Sequence, residues 1–293
     1  MFKKTLLVIL AVEVFLYISY KPNKKINLEH VINIKHNNSN VDKVKLERYV
    51  IGVVAAEMPA TFSFEALKAQ AVASRTFIYE KLNNGNISYD NLKYDQGQAY
   101  ITKDDMKKKW KEEYNNYYEK IKSAVMDTKG EIILYNGKPI KAYYFSTSNG
   151  STENSKMVFG EEEYLVSVDT SFDKESKEYL NEAEYSVNDI LTKLGINDNK
   201  ILIDNIKKSQ SNHIDSIMIN GKNFSGLEIR KMLGLRSTDF DIVVNGNTVS
   251  IITRGYGHGV GMSQYGANYL ANNGKNYKEI INYFYKDVSI DKI

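Results

Sequence analysis

Apolar residues recur with helical spacing from Val44 to Met58, at Leu46, Tyr49, Val50, Val53 and Val54. Pro59 ends that helix at about Met58, because the residue before a proline is pushed out of the helical region. A second helix follows, capped by Thr61 or Ser63, with Glu65 in its first turn and a stripe of Leu67, Ala71 and Ile78. Two later stretches change to strand-like patterning. "EIILYNGKPIKAYYFS", residues 131–146, predicts a hairpin turning at Asn136-Gly137, and "DIVVNGNTVSIITRG", residues 241–255, predicts another around Asn245-Gly246. Between them the pattern gives helices at about 186–194 and 225–233. The second opens on a Ser225-x-x-Glu228 capping box and closes at Gly234. A last helix begins near Ser263. Helices and antiparallel hairpins are interleaved with no βαβ rhythm, so the fold class is α+β.

The N-terminus has a different pattern. Lys3 and Lys4 precede "TLLVILAVEVFLYISY", residues 5–20, which is apolar apart from Glu13 and a few hydroxyls. A positive flank and an apolar run fit a secretory signal or a signal anchor, and the lack of a small-x-small site after it favours an uncleaved membrane anchor. The positive-inside rule then leaves the rest of the chain outside the cytosol. Residues 1–25 are read as the anchor and 26–43, rich in lysine and asparagine, as a tether. Residues 44–165 and 241–293 are read as the core, with 166–240 an inserted accessory lobe.

Composition narrows the functional classes. The 293 residues are 42% hydrophobic and 26% charged, an ordinary globular balance. A net charge of +3 is too small for the concentrated basic face that nucleic acid requires. Without cysteine there is no disulfide, thiolate metal site or cysteine nucleophile.

Three stretches carry candidate chemistry. In "AAEMPATFSFEALKAQAVASRTF", residues 55–77, Glu57 lies eleven residues after Leu46, an advance of about 20° beyond full turns, so it shares the direction of the apolar stripe. It also sits in the last turn, where unpaired carbonyls present negative charge. Both effects raise a carboxyl pKa and prepare a general acid. The bland reading is a boundary glutamate paired with Lys68 or Arg75, which are two turns apart on the next helix. Those cations could instead bind an anionic substrate. "FSTSNGSTENS", residues 145–155, offers a dense set of short polar side chains suited to a polyhydroxylated ligand, or to a polar turn around Gly150. "RGYGHGVGMSQYGANYLANN", residues 254–273, has glycines at 255, 257, 259 and 261 with His258 among them. Alternate glycines allow close backbone approach. No frame supplies the dinucleotide G-x-G-x-x-G or the nucleophile elbow G-x-S-x-G. Ser148 with His258 is a remaining serine-hydrolase possibility.

Together and in this order behind an N-terminal anchor, the three segments resemble the stage II sporulation protein D and amidase-enhancer family, from about Val44 to the end. The resemblance implies a membrane-anchored lytic transglycosylase that acts on peptidoglycan strands stripped of stem peptides by a partner amidase during forespore engulfment. It implies peptidoglycan, a cell-wall amidase or endopeptidase and other engulfment proteins as partners, and a location between the mother-cell and forespore membranes. It places the catalytic acid on Glu57. Substrate-binding groups fall on Lys68, Gln70 and Arg75, on Ser146, Thr147, Ser148, Thr152, Glu153, Asn154 and Ser155, and on His258, Gly259 and Gln264. Some relatives carry a histidine before the Ser-Thr-Ser run, where this chain has Phe145. Some clostridial relatives bind zinc through Cys and His, for which "YDNLKYDQGQAYI" has no counterpart, so no metal or cofactor is expected. The competing class is a non-catalytic glycan-binding module that activates an amidase.

Overall fold

The computed structural model describes residues 31–35, 41–84, 92–93 and 98–293. The expected anchor and most of the tether lie outside these residues. No helix among the described residues is long and apolar enough to cross a membrane. Strands β1 (Val31–Lys35) and β2 (Val41–Lys45) pair antiparallel, and β1 also pairs in parallel with β3 (Leu92–Lys93). Helix α1 (Leu46–Glu57) ends where Pro59 requires, and α2 (Phe64–Asn83) follows after six residues. Met58 has already left the helix with extended backbone, while its N–H still bonds to Val54 O.

Helices α3 (Lys103–Trp110) and α4 (Tyr114–Asp127) lead to β4 (Glu131–Tyr135). The Asn136-Gly137 turn forms as predicted, with both residues at positive φ, and β4 pairs antiparallel with β5 (Lys138–Pro139). The hairpin then stops short of its predicted length. One more bond, Ile140 N to Ile133 O at 3.1 Å, carries the ladder past Pro139, and it ends where Ala142 N turns back to Ile140 O at 3.0 Å. Residues 144–145 form instead a separate strand, β6 (Tyr144–Phe145), which pairs in parallel with β13 (Met262–Ser263). Helices α7 (Gln264–Asn272) and α8 (Tyr277–Phe284) and strand β14 (Ser289–Lys292), which pairs with β4, complete the larger core. Its buried residues run from Ile32 to Val168 and from Val260 to Tyr285, with α2 in the middle.

The smaller core is built from β7 (Leu180–Ser186), α5 (Val187–Leu194), β8 (Ile203–Lys208), β9 (Ile214–Ile219), β10 (Lys222–Ser225), α6 (Gly226–Leu233), β11 (Asp239–Asn245) and β12 (Thr248–Arg254). Two three-stranded antiparallel sheets, β10-β9-β8 and β11-β12-β7, flank the two helices. Both helices start on Ser capping boxes and end on a left-handed glycine, Gly195 and Gly234. Phe240, Val249 and Ile251 pack into this smaller core. The 241–255 hairpin therefore packs with the accessory lobe rather than with the core that the division at 240 assigned it to. The reason lies in strand pairing: β12 is bonded along its whole length to β7, from Thr248↔Ser186 to Arg254↔Leu180.

Candidate active site

Glu57 is the last residue of α1, half-buried, at the meeting point of α1, the 98–101 segment and α7. Its Oε1 accepts a hydrogen bond from Ala99 N at 2.8 Å, and its carboxyl also interacts with the Gln264 side chain. Burial raises its pKa above the ordinary carboxylate value, and the Ala99 N–H and Gln264 bonds pull only part of the way back. The 98–101 segment reaches it because α1 carries a glycine. A Cβ on Gly52 would lie 2.2 Å from the Tyr100 ring and 2.9 Å from Ile101 O, so the segment can lie flat on the helix only there. Ile101 N bonds to Gly52 O at 3.2 Å and fixes the register.

Behind Glu57 runs a chain of neutral hydrogen-bonding groups. Gln264 Nε2 donates to Gln70 Oε1 at 3.3 Å, and Gln70 Nε2 donates to Ser74 Oγ at 3.0 Å. Gln98 Nε2 donates to Ser74 O and to Tyr144 Oη at 2.9 Å, and Tyr49 Oη donates to Gln98 Oε1 at 3.1 Å. Burial, and next the charge of Glu57, raise the pKa of both tyrosines. A buried amide–hydroxyl network of this kind rigidifies what it touches. The arrangement holds one carboxyl in fixed geometry, and among the described residues no cation forms an ion pair with it.

The cations expected to share this site are elsewhere. Arg75 is fully buried, with Nε 2.9 Å and Nη2 2.6 Å from the two Glu47 oxygens and further bonds to Val125 O and Glu131 O. It joins α1, α2, α4 and β4. Lys68 pairs with Glu65 at 3.0 Å and Asp127 at 3.4 Å and lies over the Phe64 ring. Two lysines outside the expected set flank the turn after Glu57. Lys109 Nζ bonds to Ala55 O at 2.9 Å and Lys120 Nζ to Phe62 O at 2.6 Å, and burial lowers the pKa of both. Nothing local in "KDDMKKKWKEE" distinguishes Lys109 from its neighbours, because only the packing of α3 selects it.

The polar stretch is mostly structural. Thr147, Ser148, Thr152, Glu153 and Ser155 are buried, whereas Ser146 and Asn154 are half-buried. Ser148 pairs with Thr170 at 2.6 Å, and its N–H bonds to Asp173. Thr152 holds the main chain at Val168, and Ser155 Oγ accepts from Glu162 N at 3.0 Å. Glu153 accepts from Ser209 Oγ at 2.6 Å and Ser211 Oγ at 2.8 Å, tying the smaller core to the larger. Each of these side chains therefore has a bonding partner within the fold. Ser146 lies against the start of α7, where its carbonyl accepts from Tyr265 N at 3.0 Å.

The alternate glycines at 255, 257, 259 and 261 all have positive φ. They let this run lie directly against 143–149; a Cβ on Gly261 would be 2.0 Å from Tyr143 O. Gly259 is buried, its O bonded by Glu153 N. His258 is not the partner of the Ser148 hydroxyl, which is taken by Thr170. Its ring sits among Tyr143, Phe145 and Phe159, and Nδ1 accepts from Val260 N at 3.1 Å. Burial, and next the Arg230 charge, lower its pKa to about 4, so it is neutral at pH 7. In the short strand β6, Tyr144 turns toward the Glu57 network while Phe145 turns toward His258. Successive side chains of a strand face opposite ways, so His258 and Glu57 lie on opposite faces of β6. Phe145 packs there against Gly257 and the imidazole.

Residues 35–135 match the family model described as a stage II sporulation protein. The chain is 42% identical over 266 residues to stage II sporulation protein D of Bacillus amyloliquefaciens, covering 87% of this chain and 76% of the relative. The corresponding Bacillus subtilis (strain 168) protein is also 42% identical over 266 residues, with 77% of its length covered. An amidase enhancer of the same organism is 27% identical over 299 residues, covering 82% of this chain and 40% of that protein.

Proposed function

Because the chain belongs to the stage II sporulation protein D family, we propose that Glu57 makes it a lytic transglycosylase of peptidoglycan. Protonated Glu57 donates to the glycosidic oxygen between N-acetylmuramic acid and N-acetylglucosamine as the C1–O bond breaks. Glu57, now ionised, takes the proton of the muramic C6 hydroxyl while that oxygen bonds to C1. A 1,6-anhydro sugar results, no water is consumed, and the carboxyl returns to its starting state. Hydrolysis would call for a second carboxylate to activate water or form a glycosyl intermediate. The groups that act on Glu57 are instead an N–H and an amide.

The observation that carries this reading is the raised pKa of one half-buried carboxyl held by Ala99 N–H and Gln264. A general acid works best with a pKa lifted toward the working pH. Lys109 and Lys120, beside the 58–62 turn, are the cations that would meet the free lactyl carboxylates of peptide-stripped muramic residues. The protein would act outside the cytosol during engulfment, anchored by residues 5–20 and working after a cell-wall amidase.

The name of the amidase-enhancer relative supports a second reading, a glycan-binding activator that does no chemistry. Glu57→Gln separates the two. Mass spectrometry of peptide-free strands digested by the full chain should show anhydromuramyl ends. The variant should lose them at least a thousand-fold while still sedimenting with the strands. Anhydro ends from the variant, or none from the parent chain, would end the catalytic reading; unchanged amidase stimulation by the variant would favour the second.

A further inference from the structure

A cavity of about 220 Å³ opens beside Tyr265, one residue beyond the Gln264 that touches Glu57. Three aromatic rings line it, Phe172, Tyr265 and Tyr269. Tyr269 is exposed, yet its ring is already fixed in a parallel stack on Phe172, with centroids 4.6 Å apart and planes 3° apart. Tyr265 is fixed from the other side, edge-on to Phe62 at 4.9 Å, in the turn that follows Glu57. Rigid rings with one face committed and an edge or face in water form a platform for the apolar face of a sugar.

The polar groups of the cavity have spare capacity. Asn268 Oδ1 accepts from Ser63 N at 2.8 Å, which leaves its amide NH₂ with no partner among the described residues. Ser176 also lines the cavity, and its hydroxyl lies 3.5 Å from that of Thr147, next to Ser146. Asp173 lines it too and is 2% exposed. Its Oδ2 accepts from Ser148 N and Ser263 Oγ, while Oδ1 has no hydrogen-bond partner. That oxygen is sealed against α7, where a Cβ added to Gly266 would lie 3.0 Å from it, so Asp173 shapes the wall and offers the cavity no acceptor. A donor amide, a hydroxyl and aromatic walls are the complement of an acetamido group on a pyranose ring. The Asn268 amide can donate to the acetyl carbonyl, the Ser176 hydroxyl can accept from a ring hydroxyl or the acetamido N–H, and a ring can cover the methyl.

We propose that the Phe172–Tyr265–Tyr269 cavity is a subsite for one N-acetylhexosamine of a glycan strand, adjoining the Glu57 cleft on the α7 side. This rests on the reading of that cleft as a glycan groove. It does not depend on whether Glu57 cuts the strand. The subsite also gives the buried 146–155 stretch a part in recognition: Ser148 and Ser263 hold Asp173 at the cavity wall, although neither meets the sugar.

The test is a calorimetric titration of the full chain carrying Glu57→Gln, with the hexamer of N-acetylglucosamine as probe. Adding Tyr269→Ala should weaken binding at least ten-fold, and adding Tyr269→Phe, which keeps the ring, should leave it within two-fold. The deacetylated hexamer should bind at least ten-fold more weakly than the acetylated one to the Glu57→Gln protein, and this difference should shrink when Tyr269→Ala is added. Equal affinity of the Ala and parent proteins for the acetylated probe would overturn the subsite, as would no binding at all. Failure of anhydro product formation alone leaves this binding result standing, so the two ideas fail separately.

Discussion

At the residue scale the proposed chemistry turns on the environment of one carboxyl. Burial lifts Glu57, while the Ala99 N–H and Gln264 favour its anion. The sign for activity follows. In the proposed reaction the acid form is the donor, so kcat/KM should fall as pH rises through a pKa above the ordinary carboxylate range. Replacing Gln264 by Met removes one bond to the anion and should move that alkaline limb to higher pH, which a pH–rate profile would read; a limb that stays put or moves down would remove Gln264 from the titration of Glu57. Glu57 is legible in the sequence because helical spacing gives direction. The role of Arg75 is not legible for the same reason: spacing gives a side of a helix but not what covers it. That side of α2 is covered by α1, α4 and β4, and Glu47 supplies the partner.

At the element scale, α1 works as a plank on which the 98–101 segment is laid, and Gly52 is the joint. Gly52→Ala would set a Cβ against the Tyr100 ring and Ile101 O. Overpacking of this kind costs about 1–3 kcal/mol. Thermal unfolding should therefore register a modest loss, while activity falls much further, because Ala99 N–H is displaced from Glu57. Proportionate losses of stability and activity would show that the segment does not position the acid. The ends read from local signals held, at Pro59 for α1 and at the Ser225 capping box and left-handed Gly234 for α6. The parallel pairing of β6 with β13 was not, since two residues of strand have no period and their partner lies 118 positions away in register.

At the scale of the whole molecule, two hydrophobic cores meet along the 146–155 stretch and the glycine run. Glu153 is the tie, accepting from Ser209 and Ser211 in the smaller core. Glu153→Ala leaves two hydroxyls without their charged partner, and hydrogen bonds to charged groups contribute about 1.5–3 kcal/mol each. Amide exchange should accelerate across 187–251 and remain slow across 46–83, whereas a uniform rise would mean the cores unfold as one. The sequence alone determined what depends on near neighbours: an α+β chain, the end of α1 at Pro59, the Asn136-Gly137 turn and the direction of Glu57, while the second hairpin turns one residue later than expected, at Gly246-Asn247. The tertiary structure alone decided which polar groups remain free for a ligand. Hydroxyls and cations that look available along the chain are consumed by partners dozens of residues away. The acid's own surroundings, Ala99, Gln98, Tyr144 and Gln264, are drawn from separate segments that only packing brings together.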